Sequence, residues 1–296
     1  YGNYRAECFD SISRVLRTYY ATRNTVTRIR QKSADLRHVV QTNLERARKK
    51  YDLQSKQLQG TEGREKYKVY GELINTYGYN LEPGSKELTA LNYYTNEEIT
   101  IPLDPTQTPG ENAQRYFAKY NKQKRTFEAL TELIQETADD IQYLESISNA
   151  LDIALSEADL AQIKEELMQS GYIRRKHTKK KVKLTSKPMH YISSDGYDMY
   201  VGKNNLQNEE LTFSFANGND WWFHAKGAPG SHVIVKSGGD ELPDRTFEEA
   251  GRLAAYYSKN RGADKVEIDY IQKKHVKKPN GAKPGFVVYY TNYSLV

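Results

Sequence analysis

The sequence has one cysteine, Cys8, in 296 residues. An internal disulfide is excluded, and a reducing compartment is compatible with the chain. No apolar run approaches the roughly 20 residues that a membrane helix needs, and the mean hydropathy is −0.83. No membrane insertion is expected. No secretory signal opens the sequence and no wall-sorting tail closes it. The first residue is Tyr1 rather than Met, so the sequence reads as a fragment of a longer protein. Patterns that carry chemistry are also scarce. There is no Gly-rich phosphate loop, and Cys8 lies in a helical stretch without the setting of a nucleophile. Asp220, His224 and His232 could form a metal or acid–base set, but no carboxylate cluster lies near them. No catalytic residue, cofactor or metal is expected.

The net charge of +6 is unevenly divided. Residues 1–173 carry 23 Lys and Arg against 25 Asp and Glu, a net of −2. Residues 174–296 carry 21 against 13, a net of +8. A basic C-terminal part points to an anionic partner, most often nucleic acid. An acidic protein or a membrane surface would satisfy the same charge.

Proline and glycine are absent from residues 5–58. Ile29, Leu36, Val40, Leu44, Ala47, Tyr51 and Leu58 recur at helical spacing, which predicts a first coiled-coil helix within 1–60. Its basic residues Arg46, Arg48, Lys49 and Lys50 read as a solvated face. A second coiled-coil helix is predicted within 111–173. There Phe127, Leu130, Ile134, Thr137, Ile141, Leu144, Ser148, Leu151 and Leu155 alternate three and four apart, a heptad seam. Helices of roughly 50 residues are about 75 Å long if straight. The simplest arrangement is a long antiparallel coiled-coil hairpin; parallel coiled coils in a dimer are the alternative. Between them, residues 61–110 break the pattern with Gly63, Gly71, Gly78 and the turn Glu82-Pro83-Gly84. Leu88, Leu91, Tyr93, Tyr94, Ile99 and Ile101 suggest short strands about a turn at Thr95-Asn96. This predicts a small β-containing tip module that touches something distant.

Residues 174–187 hold eight Lys and Arg and no acid. They form a basic linker, either a solvated connection or an arm whose Lys179, Lys180 and Lys181 contact phosphate. From 188 to 296 the pattern turns α/β. Strands are predicted at 197–201, 231–236, 266–271 and 286–290, with an amphipathic helix at 244–258. The overall expectation is an α+β chain ending in a compact α/β domain.

The most unusual string runs from Asp220 to His232. It holds both tryptophans, two histidines, a lysine and a Pro-Gly turn. Flat faces and N–H donors at a turn suit a base, a sugar or a phosphate. Trp222, His224, Lys226, Ser231 and His232 are therefore candidate RNA contacts. Ser231 also reads as a turn residue, and His232 as a hydrogen-bonded core histidine. Strand alternation sends Phe223 and Ala225 to one face and Trp222 and His224 to the other. Phe223, with no polar atom, is expected in the core, and Trp222 and His224 on a wetter surface. Lys203, Asn205 and Gln207 join the candidate set, with Asn204 and Asn208 read as capping and turn residues. Lys273, Lys274, Lys277 and Lys278, in a basic loop, complete it.

Several C-terminal strings resemble one known domain: Tyr200-Val201-Gly202-Lys203-Asn204-Asn205 with Gln207-Asn208, Asp220 to Ala225, Pro229-Gly230-Ser231-His232, Glu249 to Ser258, and Lys283-Pro284-Gly285. Their order and spacing resemble the NFACT-R domain of the RqcH/NEMF group, also labelled fibronectin-binding protein A in Gram-positive bacteria. Ala250-Gly251 and Tyr270-Ile271 depart mildly from that pattern, which commonly has Ala-Ala and Tyr-Thr there. Gly71 to Ile74, Ile101 to Asp104 and Glu111 to Phe117 look like the coiled-coil and middle segments of the same group. The resemblance implies a role in ribosome-associated quality control. Its expected partners are a large ribosomal subunit, through rRNA and a stalk-base protein, and tRNA; its expected place is the cytoplasm. It also implies an N-terminal domain outside this sequence, without which the fragment does not tail stalled chains. The older label gives the alternative of a cell-surface adhesin that binds host fibronectin.

Overall fold

The computed structural model describes residues 8–174 and 186–296. The chain divides into two compact units. One comprises Arg46–Asp140, the other Tyr1–Glu45 together with Ile141–Val296. The first elements are α1 (Ile12–Lys32) and α2 (Ala34–Gln59), separated by Ser33, whose hydroxyl donates to the Arg30 carbonyl. There follow α3 (Glu65–Tyr77), β1 (Glu87–Asn92), β2 (Glu97–Pro102), α4 (Pro109–Ile153) and α5 (Glu157–Gln169).

Within the 46–140 unit, β1 and β2 form an antiparallel hairpin about a turn that holds Asn96 at φ 60°. Alternation along β1 buries Leu88 and Ala90 against Leu73, Ile74, Ile101 and Tyr116. The sequence signals for this hairpin were direct, but α3 was read as a glycine-broken segment. Gly71 lies inside the helix because a Cβ there would stand 2.8 Å from the Phe117 ring. It marks close packing rather than a turn.

In the other unit the second predicted helix is divided. α4 ends at Ile153, and Ser156 starts α5 with a capping box shared with Asp159. α5 folds back along α4, so that the Tyr143 hydroxyl meets Ser170 Oγ at 2.6 Å. Leu144 and Leu151 of the heptad seam are buried, but Leu155 falls beyond the helix and is 59% exposed. Ile29, Leu36 and Val40 pack on Tyr143, Ile147, Leu151, Ile163 and Leu167. Arg28 pairs with Glu157 and Arg37 with Asp152, so these stretches run antiparallel.

The same unit contains β3 (Met189–Ile192), β4 (Asp198–Val201), α6 (Asn205–Glu210), β5 (Trp221–Ala225), β6 (Val233–Val235), α7 (Asp244–Tyr256), β7 (Ile268–Gln272) and β8 (Tyr293–Leu295). The six strands order as β3-β4-β6-β5-β7-β8, and every pair is antiparallel. The expected α/β layering is thus replaced by an antiparallel sheet with its helices added, an α+β arrangement. The strand expected at 286–290 is reduced to one bridge, Lys277 to Val288. Gly251, a departure from the family pattern, lies where a Cβ would stand 2.6 Å from Leu295 of β8.

Both faces of this sheet are covered. On one, Phe223, Ala225, Val233 and Val235 pack against Ala250 and Ala254 of α7. On the other, Trp222, Ile234 and Ile271 pack under Leu211, Ala216 and Val276. The turn of helix after α6 and the loop after β7 supply that second cover, which periodicity within the strands does not announce.

Candidate nucleic-acid interface

β5 alternates as its sequence requires, but its second face is not wet. Trp222 is 0% exposed, and the expectation of a solvent-facing indole is corrected. His224 is partly buried beside it, with ring centroids 5.6 Å apart and planes 21° from parallel. The His232 ring lies 5.1 Å from Trp222 and 5.4 Å from His224, and the Tyr289 ring lies 5.2 Å from Trp222. His232 is buried, as the core-histidine reading had it. Its backbone N–H donates to Asn208 Oδ1 (3.0 Å), and its Nδ1 meets Thr212 Oγ1 at 2.8 Å. Gly202 lets this happen, since a Cβ there would stand 2.1 Å from Asn208 Oδ1. Burial pushes the His224 pKa down to about 4 and that of His232 well below the ordinary histidine value. Both rings are neutral at pH 7, so they offer hydrogen bonds and flat faces rather than charge.

Lys203, Asn205 and Gln207 are placed inside the protein. Asn204 caps α6, its Oδ1 accepting from the Gln207 N–H at 2.9 Å. Gln207 is 0% exposed; its Nε2 donates to Gln162 Oε1 and Ser186 Oγ, and its Oε1 accepts from the Lys203 N–H. Asn205 Nδ2 donates to Ser146 Oγ and Glu166 Oε1. Lys203 Nζ reaches Asp159 Oδ1 at 2.5 Å, and Asp159 Oδ2 accepts from the Leu155 and Ser156 N–H groups. Burial opposes the Asp159 carboxylate, but hydrogen bonds from Lys203, Ser186 and Leu155 outweigh it and hold its pKa below the usual value. Glu166 accepts from Asn205 instead, and burial pushes its pKa up to about 7. The Lys203–Gln207 motif is thus a polar joint between α6 and α5. The alternation of amide side chains in Asn204, Asn205, Gln207 and Asn208 was its sequence signal.

The exposed candidates are cationic. Lys226 is exposed near Glu267 at 3.4 Å. Lys274 and Lys277 are exposed, Lys273 is half-buried near the Phe213 ring, and Lys278 pairs with Glu209 at 2.7 Å. Lys179, Lys180 and Lys181 lie outside the described residues. Ser231 is buried, its N–H donating to the Tyr257 carbonyl. Asp220, once grouped with the histidines, instead bonds Lys236, Asn217 and Ser237. Among the described residues, no group of three His, Cys, Asp or Glu is placed to hold a metal ion.

Comparison with known proteins adds the following. Residues 1–186 match the NFACT N-terminal and middle domains, and residues 187–290 match the NFACT protein RNA binding domain. An Rqc2 homolog, RqcH, from Streptococcus pneumoniae is 42% identical over 290 residues, which is 98% of this chain and 52% of that protein. RqcH from Bacillus subtilis is 39% identical over 297 residues, 98% of this chain and 51% of that protein. The solved C-terminal part of the fibronectin/fibrinogen-binding protein from Streptococcus suis is similar at a TM-score of 0.71 and 38% identity. The match covers 91% of this chain and 94% of that one. The chain spans about half the length of the curated relatives it matches.

Proposed function

The chain belongs to the NFACT family, and from that membership we propose that it is the RNA- and ribosome-binding part of a ribosome-associated quality-control factor. The factor recognises a large ribosomal subunit still carrying peptidyl-tRNA and supports C-terminal tailing of the stalled chain. The observation that carries this reading is the match of residues 187–290 to an RNA-binding domain, which follows directly on a linker whose Lys and Arg supply the net charge of +8 on residues 174–296. Lys226, Lys274 and Lys277 are among its exposed cations, and the 174–187 linker adds eight Lys and Arg in sequence. Phosphate contacts of this kind supply affinity without reading sequence. In this reading α2 and α4 are arms of a coiled-coil hairpin, the 61–110 module is a contact tip toward the stalk base, and the protein works in the cytoplasm without catalysing a reaction. Among the described residues, no helix is long and apolar enough to cross a membrane.

The test is co-sedimentation of the chain with large subunits that carry peptidyl-tRNA and with empty ones. Enrichment on the obstructed subunits is expected; equal absence from both pellets at physiological salt refutes the reading. A second reading, a fibronectin-binding adhesin, draws on the name of the S. suis protein. Saturable binding to immobilised fibronectin, with the full-length protein found on intact cells, would favour it.

A further inference from the structure

Trp222 poses a problem that the packing alone does not solve. Its side chain is fully buried, yet its indole Nε1 has no hydrogen-bond partner among the described residues. A buried N–H left unpaired costs about 1–3 kcal/mol and calls for an explanation. Trp222 also lines a recess of about 150 Å³, together with His224, His232, Tyr289, Tyr143 and Asn205. A single water needs only about 10–15 Å³, so the recess has room for a flat ring. Three properties narrow what it can take. Its walls carry aromatic and amide groups but no Asp, Glu, Lys or Arg side chain. Both histidines in it are neutral at pH 7, which leaves the interior without a formal charge. The phosphate of a nucleotide therefore gains nothing inside, whereas an uncharged flat ring with a hydrogen-bond acceptor meets stacking faces and an unpaired N–H. The wall is also set in place. Gly285, at φ 77°, sits where a Cβ would stand 3.0 Å from Asn205, so the 284–287 loop closes directly on α6.

We propose that this recess receives one unstacked nucleobase of an RNA strand, with Trp222 donating from Nε1 to a ring nitrogen or carbonyl of the base. The proposal rests on the RNA-binding reading and adds to it a base-contacting site distinct from the phosphate-contacting lysines. Lys226, exposed and adjacent in sequence to the recess-lining Gly227, is the nearest candidate in the chain for a phosphate of the same strand. Proteins that handle single-stranded RNA commonly splay a base onto aromatic side chains in this way.

The test uses the 296-residue chain labelled with ¹⁵N. Trp221 and Trp222 supply its only two indole N–H signals, and Trp221→Phe assigns them. The chain is titrated with a single-stranded RNA oligonucleotide, with an abasic strand of the same length and charge, and with free nucleosides. The intact strand is expected to bind about tenfold more tightly than the abasic one, the scale of one stacked base. It should move the Trp222 indole signal, which the abasic strand leaves in place. Trp222→Phe, which keeps a ring but no donor, should narrow that gap. Equal binding of both strands with an unmoved Trp222 signal overturns the base site and leaves the RNA reading standing. Binding of neither strand overturns both. A Trp222 shift with free nucleosides but not with the RNA strand overturns the assignment to RNA.

Discussion

Trp222 and Phe223 are consecutive residues in β5, both fully buried, and they belong to different hydrophobic cores on opposite faces of one sheet. Phe223 packs with Phe247, Tyr270 and the small residues of α7. Trp222 packs with Ile234, Ile271 and Tyr289. Truncation of either to Ala should therefore destabilise this unit by about 3–5 kcal/mol, the range for large aromatic core residues. Urea unfolding of the two variants checks it. A Trp222→Ala variant as stable as the parent would mean that the second face is open.

Lys203 should act on folding rather than on RNA. Its ammonium pairs with the buried Asp159 carboxylate at 2.5 Å, and removing one partner of such a pair costs about 3–5 kcal/mol. Lys203→Ala should lower the unfolding midpoint markedly. At a temperature where the variant is still folded, its affinity for large subunits and the salt dependence of that affinity should be unchanged.

Glu166 gives the stability a pH dependence of unusual sign for a carboxyl group. Burial raises its folded pKa to about 7 from an ordinary 4.5. Between those values the native state holds a proton that the unfolded chain releases. Its contribution is thus full below about pH 4.5 and is lost as pH rises toward about 7. His224 and His232 work in the opposite direction. Their folded pKa values are depressed by burial, so they cost stability as pH falls below about 6.5. Glu166→Gln isolates the carboxyl group. The stability difference between parent and variant should shift in the variant's favour as pH rises from 5 to 7.5, read from denaturant curves at each pH.

The exposed lysines should set affinity without selecting sequence. Replacing Lys179, Lys180 and Lys181 together by Ala should weaken binding across unrelated RNAs and lower the salt slope by about 2, taking roughly 0.7 per single-strand phosphate contact. The pair Lys274→Ala and Lys277→Ala should act the same way with a smaller change. Filter binding over a range of salt concentrations decides each case; an unmoved slope removes those residues from the interface.

Deleting the 61–110 module and joining α2 to α4 by a short turn should leave the remaining unit folded but reduce pelleting with large subunits. Its buried residues pack on one another and on Ala113 and Tyr116 of α4, so the circular dichroism loss should match that segment together with the first turns of α4. Undiminished pelleting would end its role as a contact tip.

Local periodicity revealed much of this. The alternation in β5, the hairpin about Asn96, helix α7 and the cap at Asn204 follow from patterns within a few residues. What stayed hidden depends on partners far along the chain. Nothing in Trp222-Phe223-His224 tells that residues 211–216 and 276–289 cover the second face. Gly71 and Gly251 look like breaks until Phe117 and Leu295 are placed against them. The helix break at Ala154 to Ser156 did have a local signal, the Ser156 and Asp159 capping pair, but the heptad register ran through it to Leu155. Lys203, Asn205 and Gln207 looked like surface polar groups because their partners, Asp159, Gln162 and Glu166, lie on a helix some 40 residues earlier.

That polar joint governs how the protein can be divided. A recombinant piece starting at residue 187, where the RNA-binding match begins, would strip Gln207, Asn205 and Lys203 of their partners and bare the face on which α5 sits. Such a piece would also lose Asn149, which donates to the Tyr257 carbonyl, and Ile153, which belongs to the core under α7. A piece that keeps residues 141 onward retains Ser146, Asp159, Gln162 and Glu166. That piece in turn bares the face of Tyr143, Ile147, Leu151 and Ile163 that Ile29, Leu36 and Val40 cover, so a soluble RNA-binding reagent also needs the N-terminal helical residues of the same unit.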